Sequence, residues 1–231
     1  MTPSGGAALL ERHARLLFDL DAHGRIVGSN EPEADPAPRF WLIRGRAGPL
    51  LLARQDVPTD LEARMTDLAT ELPAWDGTPL ATAWADRLAA LAGGALEPGP
   101  AFLFSERVAV PAVEGLMVVD AAMRSLLAAH FPYTERHLPM RSPVVGVVRD
   151  GTIVAVCSTV RRRPGEGEAG VHVLEAWRRQ GFARAMVTRW RDEIEATGRT
   201  PFYGTTWDNA ASLAVARALR MEPFAEEIGI S

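Results

Sequence analysis

Two rhythms of apolar residues divide the chain. Spacings of three and four, the period of a helix face, predict a helix over Ala7 to Leu16, a second through Leu61, Met65, Leu68 and Leu72, and a third through Leu80, Trp84, Leu88 and Leu91. Short apolar runs bounded by turn residues predict strands: Leu17 to Asp21 and Arg25 to Gly28 joined through His23-Gly24, then a hairpin of Phe40 to Arg44 and Leu50 to Arg54 around Gly45-Arg46-Ala47-Gly48. A loop holding Pro32, Pro36 and Pro38 precedes that hairpin. The stripes of the later two helices read as core, not as a site. Gly93 to Pro100 (Gly-Gly-Ala-Leu-Glu-Pro-Gly-Pro) is too rich in glycine and proline for a helix or a central strand. It divides the chain into a first segment, 1–98, of small α+β character and unassigned role, and a second, 99–231.

The second segment reads as strand, helix, hairpin, strand, helix, strand, helix, strand. Ala101 to Val108 opens it, and Val113 to Phe131 is helical or helix-turn-helix, with Leu116, Val119, Met123 and Leu127 on one face. Pro143 to Val148 and Ile153 to Val160 pair across Arg149-Asp150-Gly151-Thr152, and the turn Pro164-Gly165-Glu166-Gly167 leads into a strand from Glu168. A strand over Phe202 to Trp207 and a short helix opening at Asp208-Asn209-Ala210-Ala211-Ser212 follow. Only Pro223 to Ile230 remains, so a strand of the first segment or of another subunit is expected to complete the sheet edge. There is no internal repeat.

Between Glu168 and Ala183 an apolar strand passes through a basic, glycine-bearing turn into a helix with Ala183, Met186, Val187, Trp190 and Ile194 on its apolar face. The first turn of such a helix presents unpaired N–H groups, which attract an anion. Arg178, Arg179 and Arg184 add fixed positive charge, and Gly181 has no side chain to keep an oxyanion from the backbone. A diphosphate fits this junction.

Arg178, Gly181 and Ala183 stand in the spacing Arg-x-x-Gly-x-Ala, and the Phe202 strand with Asp208 to Ser212 follows it in order. Together these elements resemble the acyl-CoA signature of the GNAT acyltransferase superfamily, over somewhat more than half of the chain, from Ala101 onward. The resemblance implies an α/β fold with a mixed sheet, the GNAT acyl-CoA acyltransferase fold, preceded by a small α+β N-terminal domain. It implies acetyl-CoA as cosubstrate, its extended arm lying along Val171, Val173 and Leu174. The diphosphate would sit on Arg178, Arg179, Gln180, Gly181, Phe182, Ala183 and Arg184. Asn209 and Ser212 would face the coenzyme from the next helix start, where Asp208 or Asn209 serves equally well as a helix cap.

An amine acceptor, with a pKa of about 10, cannot attack while protonated, so such a site needs a base. Glu168 is the first candidate because several family members place a basic glutamate at about that point of the strand; the alternative is that it only pairs with an arginine of Arg161 to Arg163. His172 is the second, and a strand histidine is also commonly structural. The tyrosine that usually assists the departing thiolate falls on Ala216, and the family's glycine and aromatic at the end of that helix on Arg220 and Met221. Ser212 or a water is left to assist, unless a thiolate of pKa about 8.5 needs little help.

Composition narrows the partners. A 231-residue chain with 47% hydrophobic content can bury a core, and a formal net charge of -4 argues against a protein that coats nucleic acid. No apolar run reaches membrane-spanning length and no leader pattern precedes one, so a cytoplasmic protein without a membrane partner is expected. The single cysteine, Cys157, excludes an intramolecular disulfide and offers no metal spacing. All 25 basic residues are arginine, which excludes lysine Schiff-base chemistry, though a GC-rich bacterial coding bias alone produces that composition. The expected acceptor is a small-molecule or protein amine, with a homodimer possible. Two other readings stay open: a catalytically silent acyl-CoA sensor or scaffold, and a nucleotide-phosphate binder that would lack both the usual phosphate-loop lysine and a full dinucleotide fingerprint.

Overall fold

The computed structural model describes residues 3–33 and 36–231, and the chain divides between two units. The first takes the chain up to Phe102 together with Gly204–Ala210 and Pro223–Ser231; the second takes Leu103–Tyr203 and Ala211–Glu222.

In the first unit, α1 (Pro3–Leu17) leads into the ribbon β1 (Phe18–Leu20) and β2 (Ile26–Ser29), and the predicted hairpin forms as β3 (Phe40–Gly45) and β4 (Gly48–Ala53). Helices α2 (Thr59–Thr70) and α3 (Thr82–Ala92) follow, then β5 (Leu96–Leu103), while β11 (Glu222–Ile230) returns from the C-terminal part of the chain. The strands lie in the order β4-β3-β11-β5. β11 runs antiparallel to β3, from Ala225 opposite Gly45 to Ile230 opposite Phe40, so the first segment does supply the strand that the short C-terminal pattern lacked. Alternation sends Phe40, Leu42, Ile228 and Ile230 toward Met65, Leu68 and Leu88 of α2 and α3. Ile43 and Ala225 face Leu10, Ala14 and Leu17, one stripe of α1.

On the α2–α3 face an ion pair replaces the apolar pair. Glu226, 0% exposed, accepts from Arg44 Nε and Nη2 (3.0 and 2.6 Å) through Oε2, and from Leu80 N (2.9 Å) and Trp207 Nε1 (2.8 Å) through Oε1. Both carboxylate oxygens are thus bonded, which a buried charge requires.

The stretch Gly93 to Pro100 departs from the sequence expectation. β5 begins at Leu96 and runs through both prolines. The residues after Gly204 lie along it and ask it for acceptors: Thr205 N donates to Pro100 O (3.3 Å) and Trp207 N to Pro98 O (3.1 Å). A proline lacks an N–H but keeps its carbonyl, so this partner tolerates it. Gly99 allows the close approach, since a Cβ there would stand 1.9 Å from Thr205 O.

The second unit contains β6 (Leu116–Val118), the short helices α4 (Pro132–Arg136) and α5 (Leu138–Arg141), β7 (Val144–Arg149), β8 (Thr152–Arg163), β9 (Glu166–Val173), α6 (Phe182–Ala196), β10 (Thr200–Gly204) and α7 (Ala210–Ala218). The strand order is β10-β9-β8-β7-β6, with β10 parallel to β9 and the rest antiparallel. Val156 of β8 joins Leu127, Phe131, Leu138 and Val144 on one face. On the other, Gly167 lies against Ile194 of α6, and Trp190 Nε1 donates to Thr159 Oγ1 (3.1 Å).

Three expected elements change here. Val113 to Phe131 is not one helix. Gly115, at φ +68°, breaks it; Leu116–Val118 pairs with Val145–Val147, and only Ala121–Leu127 is helical, as a 3-10 turn capped by Asp120 Oδ1 on Ala122 N and Met123 N. The strand expected over Ala101 to Val108 ends at Leu103. β10 ends at Gly204 and not at Trp207, because Thr205 and Trp207 have turned to β5.

Candidate functional site

β10 accompanies β9 for only four residue pairs, from Thr200 opposite Glu166 to Tyr203 opposite Ala169. β9 continues to Val173, still paired with β8 on its other edge: Gly170 faces Ser158, Val171 Cys157, His172 Val156 and Val173 Ala155. Leu174 N donates to Val154 O (3.1 Å), so the alternation of an antiparallel strand turns the main-chain groups of Gly170 and His172 toward β8 and those of Val171 and Val173 away from it. Among the described residues no strand meets this outward edge. Arg178 reaches back across it, its Nε donating to Val173 O (3.3 Å). Leu174, expected to share the arm-binding role, gives its N–H to β8 and packs its side chain against the Leu127–Phe131 cluster. The outward pair is Val171 and Val173.

The chain then makes a 3-10 turn at Glu175–Trp177 and two left-handed steps, Arg179 at φ +63° and Gly181 at φ +81°, before α6 starts at Phe182. Ala185 N is the first to find a carbonyl in the helix, that of Gly181 (3.3 Å), so among the described residues the N–H groups of Phe182, Ala183 and Arg184 open the helix without a backbone acceptor. Arg178, Arg179 and Gln180 are exposed beside them and Arg184 half-buried. Phe182 is the anchor. Buried, it stacks near Trp177 (ring centroids 6.4 Å apart), and Arg149 Cζ lies 5.1 Å from its ring centre. Arg149 and Trp177 were not singled out in the sequence, since the contact joins a hairpin turn to a helix start more than 30 residues away, and no spacing announces it.

Glu168, 3% exposed, stands opposite Arg161, whose Nη1 donates to its Oε2 (2.6 Å). The arginine pairing weighed from sequence is therefore present, on the segment of β9 that both neighbours cover. His172 lies on the same face four residues on, exposed, with its ring edge-on to Phe131 (5.6 Å). At about 3.3 Å per residue the two are about 13 Å apart and do not meet. Ser212 sits in the first turn of α7, its Oγ 2.8 Å from the hydroxyl of Tyr203. Tyr203 is 2% exposed, and burial pushes its pKa up to about 12. Sequence reasoning passed over this tyrosine because it reads as one more aromatic in an apolar strand.

Asn209 belongs to the first unit and occupies the position before α7, its N donating to Thr206 O (3.2 Å). Ala216, where the family pattern expects a tyrosine, is 1% exposed and brings no hydroxyl. Cys157 is buried and its thiol pKa is pushed up by burial. Among the described residues no group of three or more His, Cys, Asp or Glu side chains could hold a metal, and no helix is long and apolar enough to cross a membrane.

No protein-family model and no curated protein matches the chain. Solved structures do. A GCN5-related N-acetyltransferase-like protein from Streptococcus suis is 17% identical with a TM-score of 0.52, the match covering 98% of this chain and 100% of that one. A GNAT-family acetyltransferase from Colwellia psychrerythraea is 12% identical with a TM-score of 0.51, covering 100% and 97%. The protein thus has the mixed-sheet fold of the GNAT acetyltransferases. The likeness runs over the whole chain, whereas the sequence resemblance began only at Ala101.

Proposed function

We propose that the protein is an acyl-CoA-dependent N-acyltransferase, passing an acetyl or other short acyl group to an amine by direct attack. The observation that carries this reading is the early end of the β9–β10 pairing, which leaves Val171 and Val173 facing outward directly before a basic turn and a free helix start. An extended, amide-bearing arm ending in a diphosphate fits that sequence of donors. Strand groups that no neighbouring strand covers take the amides, as in strand addition, while the N–H groups of Phe182, Ala183 and Arg184 and the nearby arginines take the phosphates. Gly181 keeps this cradle open, since a Cβ there would find nothing nearer than Arg184 Nη2 at 3.9 Å.

A bound thioester supplies an acyl carbon activated toward amines. The chain supplies the rest. The outward N–H groups of Val171 and Val173 are placed to polarise the carbonyl where charge develops. Glu168 is the proposed base for the amine proton, with His172 as the second candidate, and Ser212 the hydroxyl nearest the role left by Ala216. The acceptor, a small-molecule or protein amine, meets the face of β9 that carries Glu168 and His172.

The missing tyrosine at Ala216 favours a second reading, a silent acyl-CoA sensor or scaffold. Thiol release from acetyl-CoA across a panel of amines separates the two. Release with any acceptor supports the enzyme, and tight coenzyme binding with no release supports the sensor. Calorimetry with acetyl-CoA, ATP and NAD is the wider control: preference for ATP or NAD would overturn both readings.

A further inference from the structure

We infer that Arg149 binds a phosphate monoester of the ligand whose diphosphate lies on the 178–181 turn, and so lets the protein tell coenzyme A from its form without the ribose 3′-phosphate. The inference rests on the acyl-CoA reading and deepens it by one recognised group. Arg149 ends β7 at the hairpin turn, half-buried, and its guanidinium is fixed from one side: Nη1 donates to Glu114 O and to Val148 O, both at 2.7 Å. Gly115 leaves the room for it, since a Cβ there would stand 2.9 Å from Nη1. Cζ also stands over two rings, 5.9 Å from the centre of Trp177 and 5.1 Å from that of Phe182. Those rings flank the anion turn, Trp177 directly before Arg178 and Phe182 directly after Gly181. A hairpin arginine is therefore braced against both ends of the turn.

What remains is the edge that carries Nε and Nη2, the side-on fork with which an arginine holds an oxyanion. Arg44 uses this edge on Glu226 (3.0 and 2.6 Å), Arg54 on Asp56 (2.7 and 3.0 Å) and Arg191 on Asp192 (3.1 and 2.7 Å). At Arg149 no acceptor among the described residues meets it. Glu114 offers its main-chain oxygen and not its carboxylate, and neither Asp150 nor Glu175 pairs with the guanidinium, which keeps its full charge. Because two carbonyls and two rings already hold so long a side chain, little rotamer freedom is left to lose when a ligand arrives. The diphosphate has its donors in the start of α6 and in Arg178, Arg179 and Arg184. Coenzyme A carries one phosphate more, a monoester on the adjoining ribose with nearly two charges at neutral pH, and its oxygens suit a side-on guanidinium.

The test is calorimetry of coenzyme A against 3′-dephospho-coenzyme A with wild type, Arg149→Gln and Arg149→Lys. Wild type should bind coenzyme A about tenfold tighter than the dephospho form, the size of one hydrogen-bonded contact between charged groups. Arg149→Gln should bring the two affinities to within about twofold of each other by weakening coenzyme A, while the dephospho form holds within about threefold of its wild-type value. Arg149→Lys, which keeps the charge and loses the fork, should fall between them. Raising the salt from about 0.1 to 1 M should shrink the wild-type preference and leave Arg149→Gln where it is.

A brace for the turn, or a contact to the diphosphate, would weaken both ligands alike, so a preference unchanged in either variant overturns the inference. A wild type that binds both forms equally also overturns it, needs no variant and leaves the acyl-CoA reading standing. A wild type that shows the preference but acylates no amine supports the phosphate contact and sinks the transfer step alone. A wild type that binds neither form overturns both.

Discussion

Gly181 joins conformation to chemistry in a single residue. At φ +81° it occupies backbone space that side chains enter at a cost of about 1–2 kcal/mol, although a Cβ would meet no close neighbour. Gly181→Ala should therefore lower stability by about that amount and coenzyme affinity by more than tenfold, as urea melts and calorimetry on the same samples would read. A loss of stability with binding intact would remove the turn from the site. Glu168 makes the complementary case. Glu168→Gln should reduce turnover at neutral pH and leave coenzyme affinity nearly unchanged; an unaltered rate would eliminate it as the base and leave the Arg161 pair as its whole role. The sequence could hold both readings of Glu168 open, because the strand spacing that placed it near the turn also placed it opposite Arg161 to Arg163. Tyr203 and Arg149 were out of reach, since each acts through a contact across elements that no local pattern encodes.

At the scale of elements, the hairpins were legible because a turn and two short runs are local matters: β3 with β4 and β7 with β8 appear where Gly45–Gly48 and Arg149–Thr152 predict them. β5 was not, because Pro98, Gly99 and Pro100 are judged as breakers until the partner is known to need only carbonyls and close approach. β6 was hidden by an accidental helical spacing of Leu116, Val119 and Met123 across the Gly115 turn and the Asp120 cap. The Glu226 network ties β11, β3, Leu80 two residues ahead of α3 and the stretch after β10 through one carboxylate. Glu226→Ala strands the Arg44 guanidinium in the core and should cost about 3–5 kcal/mol in chemical denaturation. Trp207→Phe removes one donor to that carboxylate and should cost about 1–2 kcal/mol. A loss from Glu226→Ala no larger than from Trp207→Phe would show that the ion pair is not what holds these elements.

For the whole molecule, alkaline stability follows from buried acids. Tyr203 holds its proton more tightly folded than unfolded, with a pKa raised from 10.0 to about 12. Its contribution is complete below the unfolded value and is lost as pH rises toward the folded one, a loss of about 2 kcal/mol between pH 10 and 12. Cys157, also raised by burial, has the same sign. Denaturant midpoints should therefore fall through that window, and fall less in Tyr203→Phe; parallel slopes in the two proteins would refute the assignment. A different consequence comes from β11 lying against β3, about 180 residues away in the chain. The ribosome delivers β3 early and its partner late, so the nascent protein must carry one bare β3 edge through most of its synthesis. β7, β8 and β9 follow one another closely and can close as they emerge. The half of the molecule translated first is thus the last to be finished.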